Sequence, residues 1–399
     1  MSKGVGWGGE AGRRRRPLLC VAGGFKAKMM RRLGLVVVAL AALLAVPGGA
    51  GAYLPPGFIG ISPQNPLGHK DFELMQEAGV DNVRLPLYWS GIETKSPLLV
   101  RPDWSGFDKE VELSAEARIR ITPFAWGSPE WVAAETIDLP VKTSWQRWAW
   151  QKFLREAARR YGPEGEFWED HTKLDYLPIT HWEIWNEENI VTQARDPEPK
   201  EYAKLLRISG RTLHAVQPES KVLIGGLFGR PLQIPPNVAS GDFLRRVYAA
   251  GDVKPYFDGV ALHPYVAQAQ AMGPELNNFR RIMRAHGDAK TPIYITELGW
   301  GSASGPTRWQ RGPQGQANQL SEAFEMLSRN RTRWKVEGVW WFTWTDEGGS
   351  CLFCGSAGLL TRHYEAKPSW YRFVEWTGGN PEAVPEAKGS VITGETDLE

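Results

Sequence analysis

Two short runs carry residue types suited to proton and nucleophile chemistry. One is His181-Trp182-Glu183-Ile184-Trp185-Asn186-Glu187-Glu188-Asn189, and the other is Ile293-Tyr294-Ile295-Thr296-Glu297-Leu298-Gly299-Trp300. Each opens as a β-rich stretch and leads to a carboxylate, Glu187 in the first and Glu297 in the second. Alternation along an extended chain puts Glu183, Trp185 and Glu187 on one face. Two carboxylates at two strand exits can divide the labour of glycosidic bond cleavage, one protonating the leaving oxygen while the other attacks carbon. A lone Glu at a strand end is commonly a solvated loop charge; this pair has company. Arg84, His263-Pro264-Tyr265 and Trp344 fall near other strand ends. A cation and a phenol keep a carboxylate ionised, an amide such as Asn186 grips a hydroxyl, and an indole stacks on a pyranose face.

Such residues act together only if a fold converges them. Between 53 and 376, β-rich runs at 58–62, 82–87, 118–124, 181–185, 221–225, 259–263, 292–296 and 336–343 alternate with helical patterns. The clearest helix is 145–161, where Ala149, Trp150, Phe153, Leu154, Ala157, Ala158 and Tyr161 share one face. Further helices fit 71–78, 200–214, 242–250, 274–286, 314–328 and 368–376, and Gly79 and Gly162 read as C-terminal stops. Strands alternating with helices pair in parallel through right-handed crossovers. Eight such units form an α/β fold, a single (β/α)8 barrel with its chemistry at the C-terminal strand ends. A doubly wound sheet is the rival, but no glycine-rich first turn marks its switch point. Gly4, Gly6 and Gly9 have GxGxxG spacing with only three residues before them, too few for a strand.

The chain of 399 residues has 47 Lys+Arg against 45 Asp+Glu, but residues 1–52 alone hold nine bases and one acid. Within them the apolar run 33–46 precedes Ala50-Gly51-Ala52. This is the pattern of a secretory signal, with cleavage expected after Ala52. The 14-residue run is shorter than the roughly 20 needed to span a bilayer, so no stable membrane association is expected after cleavage. The signal is complete from Met29 or Met30, leaving 1–28 as a basic extension. Residues 377–399, with five acids, one Lys and no aromatic residue, read as a flexible acidic tail. Without residues 1–52 the chain keeps 38 bases and 44 acids. That balance excludes a general attraction for nucleic acid. A secreted or envelope-associated monomer is the expectation.

Cys351 and Cys354 remain after export and suit a small loop disulfide. A redox pair lacks a thioredoxin-like context, and half a zinc site lacks partners. No HExxH, GxSxG or GxxxxGK[ST] occurs and the seven His are scattered, so no metal or cofactor is expected. The 19 Trp exceed what a core needs. Trp89, Trp126 and Trp300 are expected to be sugar platforms, whereas Trp145, Trp148 and Trp150 are expected to pack.

Taken in order, Arg84, Trp185-Asn186-Glu187 with Asn189, and Thr296-Glu297-Leu298-Gly299-Trp300 resemble clan A retaining glycoside hydrolases, most closely family 39-like or family 5-like (cellulase-like) members. The resemblance spans the barrel, including Ser356-Ala357-Gly358-Leu359-Leu360 and Lys367-Pro368 after the eighth strand. It implies an O-glycoside hydrolase on a TIM barrel with a carbohydrate substrate, Glu187 as acid/base and Glu297 as nucleophile. It also implies that Asn186 binds the sugar 2-hydroxyl, Arg84 and Tyr265 position Glu297, His263 lines the site, and Trp344 floors the cleavage subsite. The family usually has Pro after the acid/base, where this chain has Glu188. A neighbouring carboxylate raises the pKa of Glu187. A catalytically silent carbohydrate-binding barrel, with Glu188 as the sign of drift, is the alternative.

Overall fold

In the computed structural model, which describes residues 54–229, 234–347 and 351–383, eight parallel strands close into a barrel in chain order. The basic extension, the signal with its cleavage point, and the acidic tail from 384 lie outside the described residues. The strands are β1 (Ile59–Ile61), β2 (Asn82–Tyr88), β3 (Arg120–Trp126), β4 (His181–Ile184), β5 (Lys221–Phe228), β6 (Gly259–His263), β7 (Ile293–Leu298) and β8 (Val336–Trp341). Eight longer helices among the described residues follow them in alternation: α1 (His69–Glu77), α2 (Ser105–Glu116), α3 (Ser144–Tyr161), α4 (Pro199–Val216), α5 (Ser240–Ala249), α6 (Met272–Ala285), α7 (Gly312–Trp334) and α8 (Pro368–Thr377). None of the helices among the described residues is long and apolar enough to cross a membrane.

The predicted elements recur with shifted ends, and the shifts have local causes. β3 starts at Arg120 because Arg118 turns through a left-handed φ of 59° on leaving α2. α2 has little signal in the sequence because its acids and Lys109 mask a short stripe of Phe107, Val111 and Ala115. α3 opens on a Thr143–Gln146 capping box and buries the predicted face. Its stop differs from that of α1. Gly79 is left-handed (φ 72°), whereas Gly162 is extended and is glycine because a Cβ would lie 1.4 Å from the Gln217 amide. α8 ends on left-handed Gly378, and the next residues press against α1, with the Asn380 N–H donating to the Glu77 carbonyl. The segment expected as tail is therefore packed up to that point.

β5 runs past 225 to Phe228 through an irregularity in its pairing with β6 between Ile224 and Leu227. A Cβ on Gly225 would sit 2.3 Å from Glu188 Oε2, and one on Gly226 would sit 1.9 Å from His263 Nε2. Those glycines let two functional-looking side chains lie against the strand. Cys351 and Cys354 are disulfide-bonded in the loop beyond β8.

Candidate active site

Arg84, on β2, organises the barrel mouth. It is 1% exposed, and each of its five N–H groups has an acceptor. Nε and Nη2 donate to the two oxygens of Glu183 at 2.8 and 3.0 Å. Nη1 donates to Glu297 Oε1 at 2.8 Å and to Ser62 Oγ at 3.4 Å, and Nη2 donates to Asn186 Oδ1 at 2.7 Å. The guanidinium lies 4.0 Å above the Phe124 ring. Burial alone would lower its pKa, but Glu183 and Glu297 outweigh this and raise it.

Glu183 gains its role only from the fold. It points into the barrel from β4, fully buried, and also accepts the Gly226 N–H at 2.7 Å. β4 ends at Ile184, and Trp185 and Glu187 both adopt left-handed φ values, 74° and 46°. The expected shared face of Glu183, Trp185 and Glu187 therefore breaks. Trp185 turns into the core and donates its indole N–H to the Gln193 carbonyl at 2.8 Å. Non-glycine residues in this region cost about 1–3 kcal/mol each and cluster at functional sites. Asn189 holds the turn in place, accepting from the Phe228 N–H at 2.8 Å and donating to the Phe228 and Val238 carbonyls.

Glu187 and Glu297 meet at this mouth, with one carboxyl oxygen of each within 4.8 Å of the other. Their partners differ. Glu297 accepts from Arg84 and from the Tyr265 hydroxyl at 2.6 Å. Glu187 hydrogen-bonds with His263 Nδ1 at 2.8 Å, and the other ring nitrogen meets Thr296 Oγ1 at 3.0 Å. Burial, and then the charge of Glu297, push Glu187 well above the usual carboxylate range. Burial also raises Glu297, but Arg84 and Tyr265 oppose it, which leaves Glu297 the more acidic of the two. Burial and Arg84 depress His263 and keep it neutral.

Glu188 does not enter the mouth. It is buried against Gly225 with Tyr202 as its polar neighbour, and the Tyr202 hydroxyl is committed to the Ile184 carbonyl. Its burial raises its own pKa strongly, and its charge adds only a lesser part to the rise at Glu187. Glu187, His263 and Glu297 can each present a ligand atom within 4.8 Å of the others, the one such cluster among the described residues. A cation there would displace hydrogen bonds already made, beside the fixed charge of Arg84.

Three aromatic expectations need correction. Trp89, Trp300 and Trp344 are at most 1% exposed, so none can offer a face to a sugar. Trp89 stacks on Phe153 and donates to Glu93 Oε2; Trp300 donates to the Val266 carbonyl. Trp344 lies against Trp370 and donates to Asp71 Oδ1 at 3.0 Å. The chain leaves β8 after Trp341, so the residue at the mouth is Phe342, partly exposed and edge-on to Tyr265 at 6.2 Å. Phe353, within the disulfide loop, packs on Tyr265 from another side at 5.2 Å. Trp126 remains half-buried at the end of β3. Trp150 packs as expected, but Trp145 and Trp148 are 39% and 42% exposed and stack on each other.

No family model and no curated protein sequence matches the chain. Solved structures do. A family 39 glycoside hydrolase from the gut symbiont Bacteroides cellulosilyticus WH2 superposes with TM-score 0.60 at 21% identity, over 81% of this chain and 63% of that one. A monomeric beta-xylosidase from Caulobacter crescentus CB15 superposes with TM-score 0.60 at 18% identity, over 82% of this chain and 68% of that one. A family 5 subfamily 18 protein from Bifidobacterium longum subsp. infantis gives TM-score 0.55 at 13% identity, over 80% and 78%. The chain thus has the (β/α)8 barrel of these glycoside hydrolase structures and spans about 63% of the length of the first.

Proposed function

We propose that this protein is a retaining glycoside hydrolase that cleaves O-glycosidic, β-linked bonds by double displacement. The observation that carries the reading is the pair of Glu187, buried, and Glu297, half-buried, with oxygens within 4.8 Å and with unlike partners. Retaining pairs stand about 5–5.5 Å apart, whereas inverting pairs leave about 6.5–9.5 Å for a water. Glu297, ionised beside Arg84 and Tyr265, attacks the anomeric carbon as Glu187 gives its proton to the leaving oxygen. Glu187, now a carboxylate, takes a proton from water; the water oxygen attacks the same carbon and frees Glu297. Asn186 has its carbonyl oxygen committed to Arg84, so its amide N–H₂ is the end left to grip the sugar 2-hydroxyl. His263 holds Glu187, Tyr265 holds Glu297, and Trp126 and Phe342 offer apolar faces to the sugar.

The β-linkage draws on the beta-xylosidase among the similar structures. Export through residues 29–52 draws on the sequence pattern, and the disulfide suits an oxidising compartment. The alternative of a silent barrel rested on Glu188, which lies outside the mouth and leaves both carboxyls in place. The test is hydrolysis of a panel of 4-nitrophenyl β-glycosides by the wild type and by Glu297→Ala. The wild type should cleave at least one and the variant none at a comparable rate; a variant with full rate would refute the nucleophile.

A further inference from the structure

Tyr265 stands two residues beyond the end of β6, where no strand holds it, yet its hydroxyl donates to Glu297 Oε2 at 2.6 Å. A hydrogen bond weakens steeply once its distance and angle drift, so whatever fixes the ring fixes the bond. Four rings surround it. His263 belongs to β6 itself at 6.2 Å between centroids, Phe228 ends β5 at 5.8 Å, and Phe342 follows β8 at 6.2 Å. The nearest is Phe353, edge-on at 5.2 Å. It alone of the four comes from outside the strands and their adjoining residues.

Tyr265, Phe353 and Ala357 make an apolar cluster apart from the main core, with Phe228, Trp309 and Phe342 half-buried against it. Phe353 is 7% exposed, whereas Cys351 and Leu352 beside it face solvent. Little apolar packing therefore seats the turn that carries Phe353.

Covalent and hydrogen bonds seat it instead. Cys351 and Cys354 are joined across the turn, so Phe353 lies inside a four-residue covalent ring, where the Cys354 N–H also donates to Cys351 Sγ at 3.0 Å. The Phe353 carbonyl accepts from the Ser356 N–H at 3.0 Å and from Ser356 Oγ at 3.2 Å. The Leu352 carbonyl accepts from Gln310 Nε2 at 3.3 Å. A solvent-facing turn loses backbone freedom when it orders, and a link across it removes much of that freedom in advance.

Resting on the glycosidase reading above, we infer that Phe353 is a positioning residue that holds the Tyr265 hydroxyl on Glu297, and that the Cys351–Cys354 link holds Phe353 against Tyr265. The disulfide thereby serves the nucleophile as well as its own loop. The other charged or titratable groups facing Glu297 come from elements that Phe353 does not order. They are Arg84 from β2, His263 from β6 with Nδ1 at 3.5 Å, Glu183 from β4, and Glu187 from the turn after it. A change at Phe353 reaches Glu297 through the phenol.

The test follows the Glu297 carboxyl by carbon NMR in protein labelled at the glutamate carboxyl carbon, its resonance identified as the one that Glu297→Gln removes. No substrate is needed, so the result stands whether or not a glycoside is cleaved. Phe353→Ala should raise the titration midpoint by about 0.4 to 1 pH unit, the equivalent of one lost aromatic contact, because a released phenol no longer favours the carboxylate. In a Tyr265→Phe background the same substitution should leave the midpoint in place, since the hydroxyl through which it acts is gone. Cys351→Ser combined with Cys354→Ser should raise the midpoint when Tyr265 is present and leave it unmoved in the Tyr265→Phe background. A midpoint unmoved or lowered by Phe353→Ala, or moved equally in both backgrounds, overturns the positioning role. A midpoint moved by Phe353→Ala but not by the paired serine substitutions overturns the part given to the disulfide. Neither outcome touches the glycosidase reading, which fails instead if the wild type cleaves no glycoside of the panel.

Discussion

Removing the Tyr265 hydroxyl should move one limb of the pH profile and leave the other in place. The phenol donates to Glu297 Oε2 at 2.6 Å inside a buried cluster. A hydrogen bond to a charged acceptor is worth about 1.5–3 kcal/mol, a factor of about 10 to 100 in the ionisation equilibrium of Glu297. The sign follows from which form the phenol favours. It stabilises the carboxylate, so Tyr265→Phe favours the protonated acid, and Glu297 ionises only at higher pH. The acid limb of kcat/KM, which reports the ionised nucleophile in the free enzyme, shifts upward. The alkaline limb, which reports the proton on Glu187, stays, because the contact between Glu187 and His263 is untouched. The assay is kcat/KM against pH on whichever aryl glycoside the wild type cleaves. A uniform loss of rate with both limbs unmoved, or movement of the alkaline limb alone, would refute this division of roles.

Other variants probe neighbouring claims. Glu187→Ala should lose at least about 100-fold on substrates with poor leaving groups and recover with azide, giving a β-glycosyl azide; an α-azide would contradict the proposed acid/base. Burial lifts Glu188 well above its ordinary range, so its stabilising effect is complete below the unfolded pKa and fades as pH rises through the folded value. Glu188→Gln should therefore match wild type in Tm at about pH 4 and exceed it at about pH 8, by on the order of 2 °C; a difference independent of pH would show that the carboxyl is not held neutral. Trp344→Ala should cost about 3–5 kcal/mol of stability in denaturant unfolding with KM unchanged in the folded fraction, and a raised KM would return it to the sugar-binding surface.

Much of the barrel was legible because its strands are short, β-rich and separated by helices with a clear apolar face, as in α3. Glu187, Glu297 and Tyr265 could be singled out because each stands near a strand exit, whereas Arg84 lies four residues inside β2, which runs on past the expected end. Glu183 was less visible: its role depends on a pairing with Arg84 across 99 residues of sequence. The aromatic residues were the hardest to sort. Trp has a large apolar body and one N–H, so a buried Trp with an internal acceptor and a surface platform look alike in sequence. Trp89, Trp300 and Trp344 all found internal acceptors. Phe342 reaches the mouth through a detail of strand length: β8 stops at Trp341. The left-handed turns at Trp185 and Glu187 carry no sequence signal, since neither residue is a glycine.

The stereochemistry of the first-formed product tests the central claim most directly. Proton NMR of the anomeric region, recorded as a cleaved β-glycoside is consumed, should show the β product first, with the α form appearing only as mutarotation proceeds. An α product appearing first would mean that water attacks directly, and that Glu297 does not form a bond to the sugar.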